Sequence, residues 1–178
     1  MIKKRGFTLI ELLTVIMVIA VLTAVGLPQY RKVIEKGRVT EAVAMLRTIY
    51  DSSDRLAGEF GVIVLPGADA YSALLAAKGM ANEPSYSFAR LDMFDASNLP
   101  KGCSLQDNGT TLQCSRFSYK IAKDGYVAAK KLSTPYADTY ILLDRSTLDL
   151  YCQPAAADTE GEACDTFGLT PVSAGVSF

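Results

Sequence analysis

The sequence predicts an α+β molecule in which one long N-terminal helix packs on an antiparallel sheet of about four strands. Three patterns lead there. Phe7 to Leu27 is an apolar run broken by a single charge, Glu11. From Tyr30 to Phe60, apolar residues recur at steps of three and four, the period of a helix with one buried face. Beyond Leu112 the period falls to two, as in strands with one covered face.

The first element is the run itself, 21 residues long. At about 1.5 Å of rise per residue, it spans the roughly 30 Å hydrocarbon core of a bilayer as a helix. Lys3, Lys4 and Arg5 precede it, and basic flanks stay on the cytoplasmic side, so the chain after Pro28 is expected to face outward. A cleavable secretory signal has a shorter apolar core, about 7–15 residues, before a small-x-small site. Such a site exists near Thr23-Ala24-Val25-Gly26, but the length of the run and Glu11 inside it favour a retained helix.

Two features of the run need a reason. A carboxylate in mid-membrane costs about 2.5–3.5 kcal/mol, so an intramembrane acid asks for a function. One turn from the helix start, snorkelling and the helix dipole explain why Glu11 is tolerated, not why it is there. Gly26 and Pro28 mark a weak point at the far end. Pro28 offers no N–H to the carbonyl of Ala24, and the Thr23 hydroxyl is a candidate partner for the group so freed.

The second half of the helix carries Val39, Ala42, Val43, Leu46, Ile49, Tyr50, Leu56, Ala57 and Phe60 on one stripe, broken at Ser53. Arg38, Glu41, Arg47, Asp51, Asp54 and Arg55 take the other face. The helix is expected from Phe7 to about Ala57, with Gly58 and Gly61 as stop signals. Too short a stripe and irregular flanking charges exclude a coiled coil. A short helix over Tyr71–Lys78 and loops at Glu83-Pro84 and Leu99-Pro100 come next. Strands are expected at Phe117–Ile121, at Tyr126–Leu132 after a Lys123-Asp124-Gly125 turn, at Thr139–Leu143, and through Leu148, Leu150 and Cys152.

Cys103, Cys114, Cys152 and Cys164 all lie in the part expected outside the membrane. Zinc sites bring ligands in close pairs, often with histidine; this chain has no such pair and no histidine. The cysteines therefore read as disulfides. Of the three possible connectivities, we choose Cys103–Cys114 and Cys152–Cys164, because Asp107-Asn108-Gly109 is a turn that brings the first pair together. Enzyme chemistry finds no support: the commonest general base is absent, and there is no nucleophile elbow, phosphate loop or dinucleotide fingerprint. No catalytic residue, metal or cofactor is expected. Without Lys3, Lys4 and Arg5, the 18 basic residues fall to 15 against 19 acidic ones. Lys101, Lys120, Lys123, Lys130 and Lys131 then read as edge-protecting lysines rather than a nucleic-acid surface.

Lys4-Arg5-Gly6-Phe7-Thr8-Leu9-Ile10-Glu11-Leu12-Leu13 resembles the processing site of type IV pilins and pseudopilins, and Leu27-Pro28-Gln29-Tyr30 matches where that family places a proline after its membrane segment. The resemblance covers about the first 30 residues. It implies cleavage between Gly6 and Phe7 by a membrane-embedded prepilin peptidase, which also methylates the Phe7 amine. It further implies that Glu11 meets the amine of a neighbouring subunit, and that the Gly26–Pro28 stretch unwinds when subunits pack. Residues 1–6 are then a leader, 7–28 the membrane and assembly helix, 29–60 its amphipathic continuation, and 61–178 a head with two disulfide loops. Small residues such as Ala20, Ala24 and Gly26 would let helices approach closely.

The expected role is a type IV pilus subunit, stored in the inner membrane with its head in the periplasm. It would be polymerised by inner-membrane assembly machinery into a homo-oligomeric surface filament for adhesion, motility or DNA uptake. A pseudopilin of a type II secretion system is the nearest alternative, and a membrane-anchored or secreted binding domain that never polymerises is the alternative of another class. Some pseudopilins bind calcium in a C-terminal loop, but Asp158, Glu160, Glu162 and Asp165 lack the spacing of an EF-hand and read as a solvated acidic loop.

Overall fold

The computed structural model describes residues 8–59, 88, 91–94, 97–122 and 125–172, with backbone alone at 57 and 58. Helix α1 spans Leu9–Glu59 without interruption, 51 residues including Pro28, about 76 Å at the usual rise. It runs through Gly58, so that glycine does not end it. Phe60, Gly61, the helix expected at Tyr71–Lys78, the Glu83-Pro84 loop, Lys123 and Asp124 lie outside the described residues.

Among the described residues the sheet has seven strands rather than four, in sequential order. They are β1 (Ser104–Gln106), β2 (Thr111–Gln113), β3 (Phe117–Ile121), β4 (Tyr126–Lys131), β5 (Tyr140–Asp144), β6 (Leu150–Gln153) and β7 (Thr170–Pro171). The expected four are β3 to β6, and they pair as antiparallel neighbours. The additions are two- and three-residue strands at the two edges. β1 and β2 form a hairpin whose turn puts Asp107, Asn108 and Gly109 at positive φ, the conformation Asn, Asp and glycine tolerate best. β7 pairs parallel to β6. The link between them contains helix α2 (Glu162–Phe167), and a parallel neighbour needs such a crossover.

Alternation assigns the faces. Phe117, Tyr119 and Ile121 of β3, Val127 and Ala129 of β4, Ile141 and Leu143 of β5 and Cys152 of β6 point to the core. Val39, Ala42, Leu46 and Ile49 of α1 pack there with Phe88, Leu91, Phe94 and Phe167. Val43, Tyr50 and Leu56 of the stripe are half-buried against the same core. Ser53, its one polar member, is buried and donates to the Tyr50 carbonyl at 2.7 Å. The opposite sheet face has a smaller cluster, Ala128 and Leu142 under Tyr126, Tyr140 and Tyr151.

Lys131 departs from its expected place. It sits on a central strand, fully buried on the core face beside Val127 and Ala129. Its Nζ lies 3.2 Å from Oε2 of Glu35, itself buried one turn before Val39, and donates to the carbonyls of Ser133 and Pro135. Burial pushes the Lys131 ammonium below its usual range, and the Glu35 carboxylate opposes that shift. Lys130 faces the other way, 2.8 Å from Asp138 and over the Tyr140 ring. Strand alternation thus separates two lysines adjacent in sequence, and they form no common basic patch.

Candidate assembly site

The apolar half of α1 touches none of this core. Thirteen large apolar side chains between Leu9 and Leu27 are exposed around the full circumference of the helix. Each would be worth about 1.5–3 kcal/mol if fully buried, so the segment demands lipid or other helices around it. It is long and apolar enough to cross a membrane.

At its start, Thr8 and Glu11 form a reciprocal cap. The Thr8 backbone N–H donates to Oε2 of Glu11 at 2.8 Å, and the Thr8 hydroxyl to the same oxygen at 2.7 Å. In return, the Glu11 N–H donates to the Thr8 hydroxyl at 3.3 Å. This is a capping box, Ser/Thr-x-x-Glu/Gln, which satisfies backbone donors that every helix start leaves open. The motif is legible as Thr8-Leu9-Ile10-Glu11, a signal that the helix dipole and a cationic partner, the two roles expected of the acid, leave unused. Oε1 of Glu11 has no protein partner among the described residues. Gly6 and Phe7, the expected processing pair, lie outside the described residues.

At the other end, Gly26 and Pro28 sit inside a continuous helix. Thr23 does not serve the Ala24 carbonyl; its hydroxyl donates to Ile19 O at 2.8 Å. A Cβ at Gly26 would meet nothing within 4 Å, so the glycine leaves an open notch on the helix surface.

The cysteines pair as Cys103–Cys114 and Cys152–Cys164. The first closes the β1–β2 hairpin and the second ties β6 to α2. Two of the loop's four acids, Asp158 and Glu162, are engaged in local structure. Asp158 accepts from the N–H groups of Glu162 and Ala163 at 3.0 and 2.9 Å, capping α2, and Glu162 accepts from the Tyr136 hydroxyl at 3.2 Å. No group of three or more metal-ligating side chains occurs among the described residues.

Residues 1–27 match a family model described as the prokaryotic N-terminal methylation motif. The chain is similar to the prepilin peptidase-dependent protein D of Escherichia coli (strain K12), 50% identical over 46 residues. That stretch is 26% of this chain and 30% of that protein, so the likeness covers less than a third of either. No solved structure matches the chain. At its N-terminus, then, the chain carries the prepilin-type methylation motif, set on a long apolar helix whose continuation packs on a mostly antiparallel sheet.

Proposed function

We propose that the chain is a type IV pilin-like structural subunit, without enzymatic activity, that polymerises through the apolar half of α1. One observation carries the reading: a prepilin methylation motif leads directly into a helix exposed on every side from Leu9 to Leu27. A bilayer covers such a helix before assembly, and like helices cover it in a filament. Cleavage between Gly6 and Phe7 by a prepilin peptidase and methyltransferase creates a cationic amine, and Glu11 of a neighbouring subunit receives it. The head waits in the periplasm, and inner-membrane machinery adds subunits head-to-tail, the open symmetry that yields fibres. Gly26 and Pro28 give the close-packed helices a place to adjust.

Mass spectrometry of the protein's N-terminus, with negative-stain microscopy of sheared surface material, tests this. The expected result is a terminus at Phe7 bearing one methyl group, in filaments. A terminus near Gly26 means an ordinary secretory signal and ends the filament argument. A methylated Phe7 without surface filaments moves the assignment to a secretion-system pseudopilin.

A further inference from the structure

Where α1 leaves the apolar run, the head leans against it and, among the described residues, leaves two adjoining grooves. One, of about 440 Å³, lies between α1 and the segment after β4 and is lined by Arg31, Ile34, Glu35, Arg38, Thr134 and Pro135. The other, of about 320 Å³, shares Arg31, Glu35 and Pro135 and continues past Lys32 to Leu27 and Pro28. Arg31 lies four residues beyond Leu27, about 6 Å along the helix. That is the depth of headgroup phosphates, since the polar layer adds roughly 5–7 Å on each side of the hydrocarbon.

The charges are arranged for an anion. Arg31 and Lys32 are exposed and make no ion pair among the described residues. Of the acids nearby, Glu35 is paired with Arg38 at 2.6 Å and Lys131 at 3.2 Å, while Glu162 keeps its charge, accepting a hydrogen bond from the Tyr136 hydroxyl, and is outnumbered by Arg31 and Lys32. A cationic rim thus stands over an apolar floor of Leu27, Pro28 and Pro135.

We propose that these grooves hold the headgroup of an anionic phospholipid while the chain is stored in the membrane. Arg31 and Lys32 meet the phosphate; Leu27 and Pro28 meet the glycerol and first methylenes. This rests on the membrane stage of the proposed function and not on filament formation. Amphipathic lining at headgroup depth favours a lipid over a second protein surface.

The test reconstitutes the full chain in vesicles of phosphatidylcholine with and without phosphatidylglycerol, extracts it in mild detergent, and identifies retained lipid by native mass spectrometry. Phosphatidylglycerol is retained over phosphatidylcholine, and Arg31→Gln or Lys32→Gln lowers that preference about fivefold each. Lys36→Gln removes the same charge from an exposed position outside both grooves and leaves the preference intact. Inorganic phosphate does not displace the lipid. Equal retention of both lipids, or an equal loss in Lys36→Gln, overturns the proposal. Alkaline washing of the same vesicles separates the two levels: a chain that washes off overturns the membrane reading and the lipid site with it, whereas an inserted chain without preference overturns the lipid site alone. Arg31→Gln protein that keeps its lipid preference yet forms no filaments assigns the groove to a neighbouring subunit and overturns it too.

Discussion

Glu35 and Lys131 neutralise each other where α1 meets the centre of the sheet, with the ammonium also held by two backbone carbonyls. Removing one member leaves a charge with its full desolvation cost. Glu35→Ala is therefore expected to lower head stability by about 3–5 kcal/mol in urea titrations, while Glu35→Leu with Lys131→Met recovers most of that loss. Strand alternation already put Lys131 in phase with Val127 and Ala129. Two apolar neighbours on the other phase, Ala128 and Leu142 across from it, are also buried and hid which face was the core. Glu35 was harder still, since nothing in a helical stripe marks an acid as its first buried member. Glu11 poses the converse question, because its one bonded oxygen serves a local cap. Glutamine also completes a capping box but carries no charge. Glu11→Gln should be processed and retained in the membrane yet build few or no filaments, as should Glu11→Val. Normal filament yield from Glu11→Gln, scored by microscopy, would reduce the residue to a helix cap.

At the scale of elements, the two disulfides close loops of nearly equal length, with sequence separations of 11 and 12, so their loop-entropy terms are alike. Their surroundings are not. Cys152 and Cys164 are fully buried, whereas Cys103 and Cys114 are half-buried at the core margin. Replacing Cys152 and Cys164 together by alanine should cost about 2–4 kcal/mol from the loop plus a packing loss, and thus more than the same change at Cys103 and Cys114. Thermal unfolding of both double variants measures the order. The end of α1 is tied differently, through Asp92, which accepts from Ser52 and forms a bidentate pair with Arg55. The Ser52 hydroxyl first, and then Arg55, hold the Asp92 carboxyl below its usual range. Below about pH 4 the unfolded chain binds the proton more readily than the folded one, so this tie weakens as pH falls. Protection against hydrogen exchange at residues 52–59, measured relative to the intrinsic amide rate at each pH, should fall in acid, and Ser52→Ala should flatten that fall. The elements legible beforehand were those long enough to show a period: α1 and β3 to β6. Three-residue β1 and β2, and β7 with Pro171 among its two residues, are too short for alternation and exist through pairing with neighbours.

For the whole molecule, the consequence of α1 is that one helix is both the apolar anchor and the wall of the head's core. Position along it is also direction around it, since each residue turns about 100°. In the continuous helix the bearing of Glu11 relative to the sheet is thereby set by the number of residues between them, and the Gly26–Pro28 stretch is where part of an error could relax. One alanine inserted between Arg31 and Lys32 would swing the head by about 100° against the anchor while leaving each half free to fold. Such a chain should be cleaved, oxidised and as heat-stable in its head as the parent, yet fail to propagate a fibre, because successive heads would arrive out of phase with the contacts below them. A seven-residue insertion restores the bearing to within about 20° and displaces the head by about 10 Å. Comparing filament yield from the two insertions separates angle from height as the quantity the lattice reads.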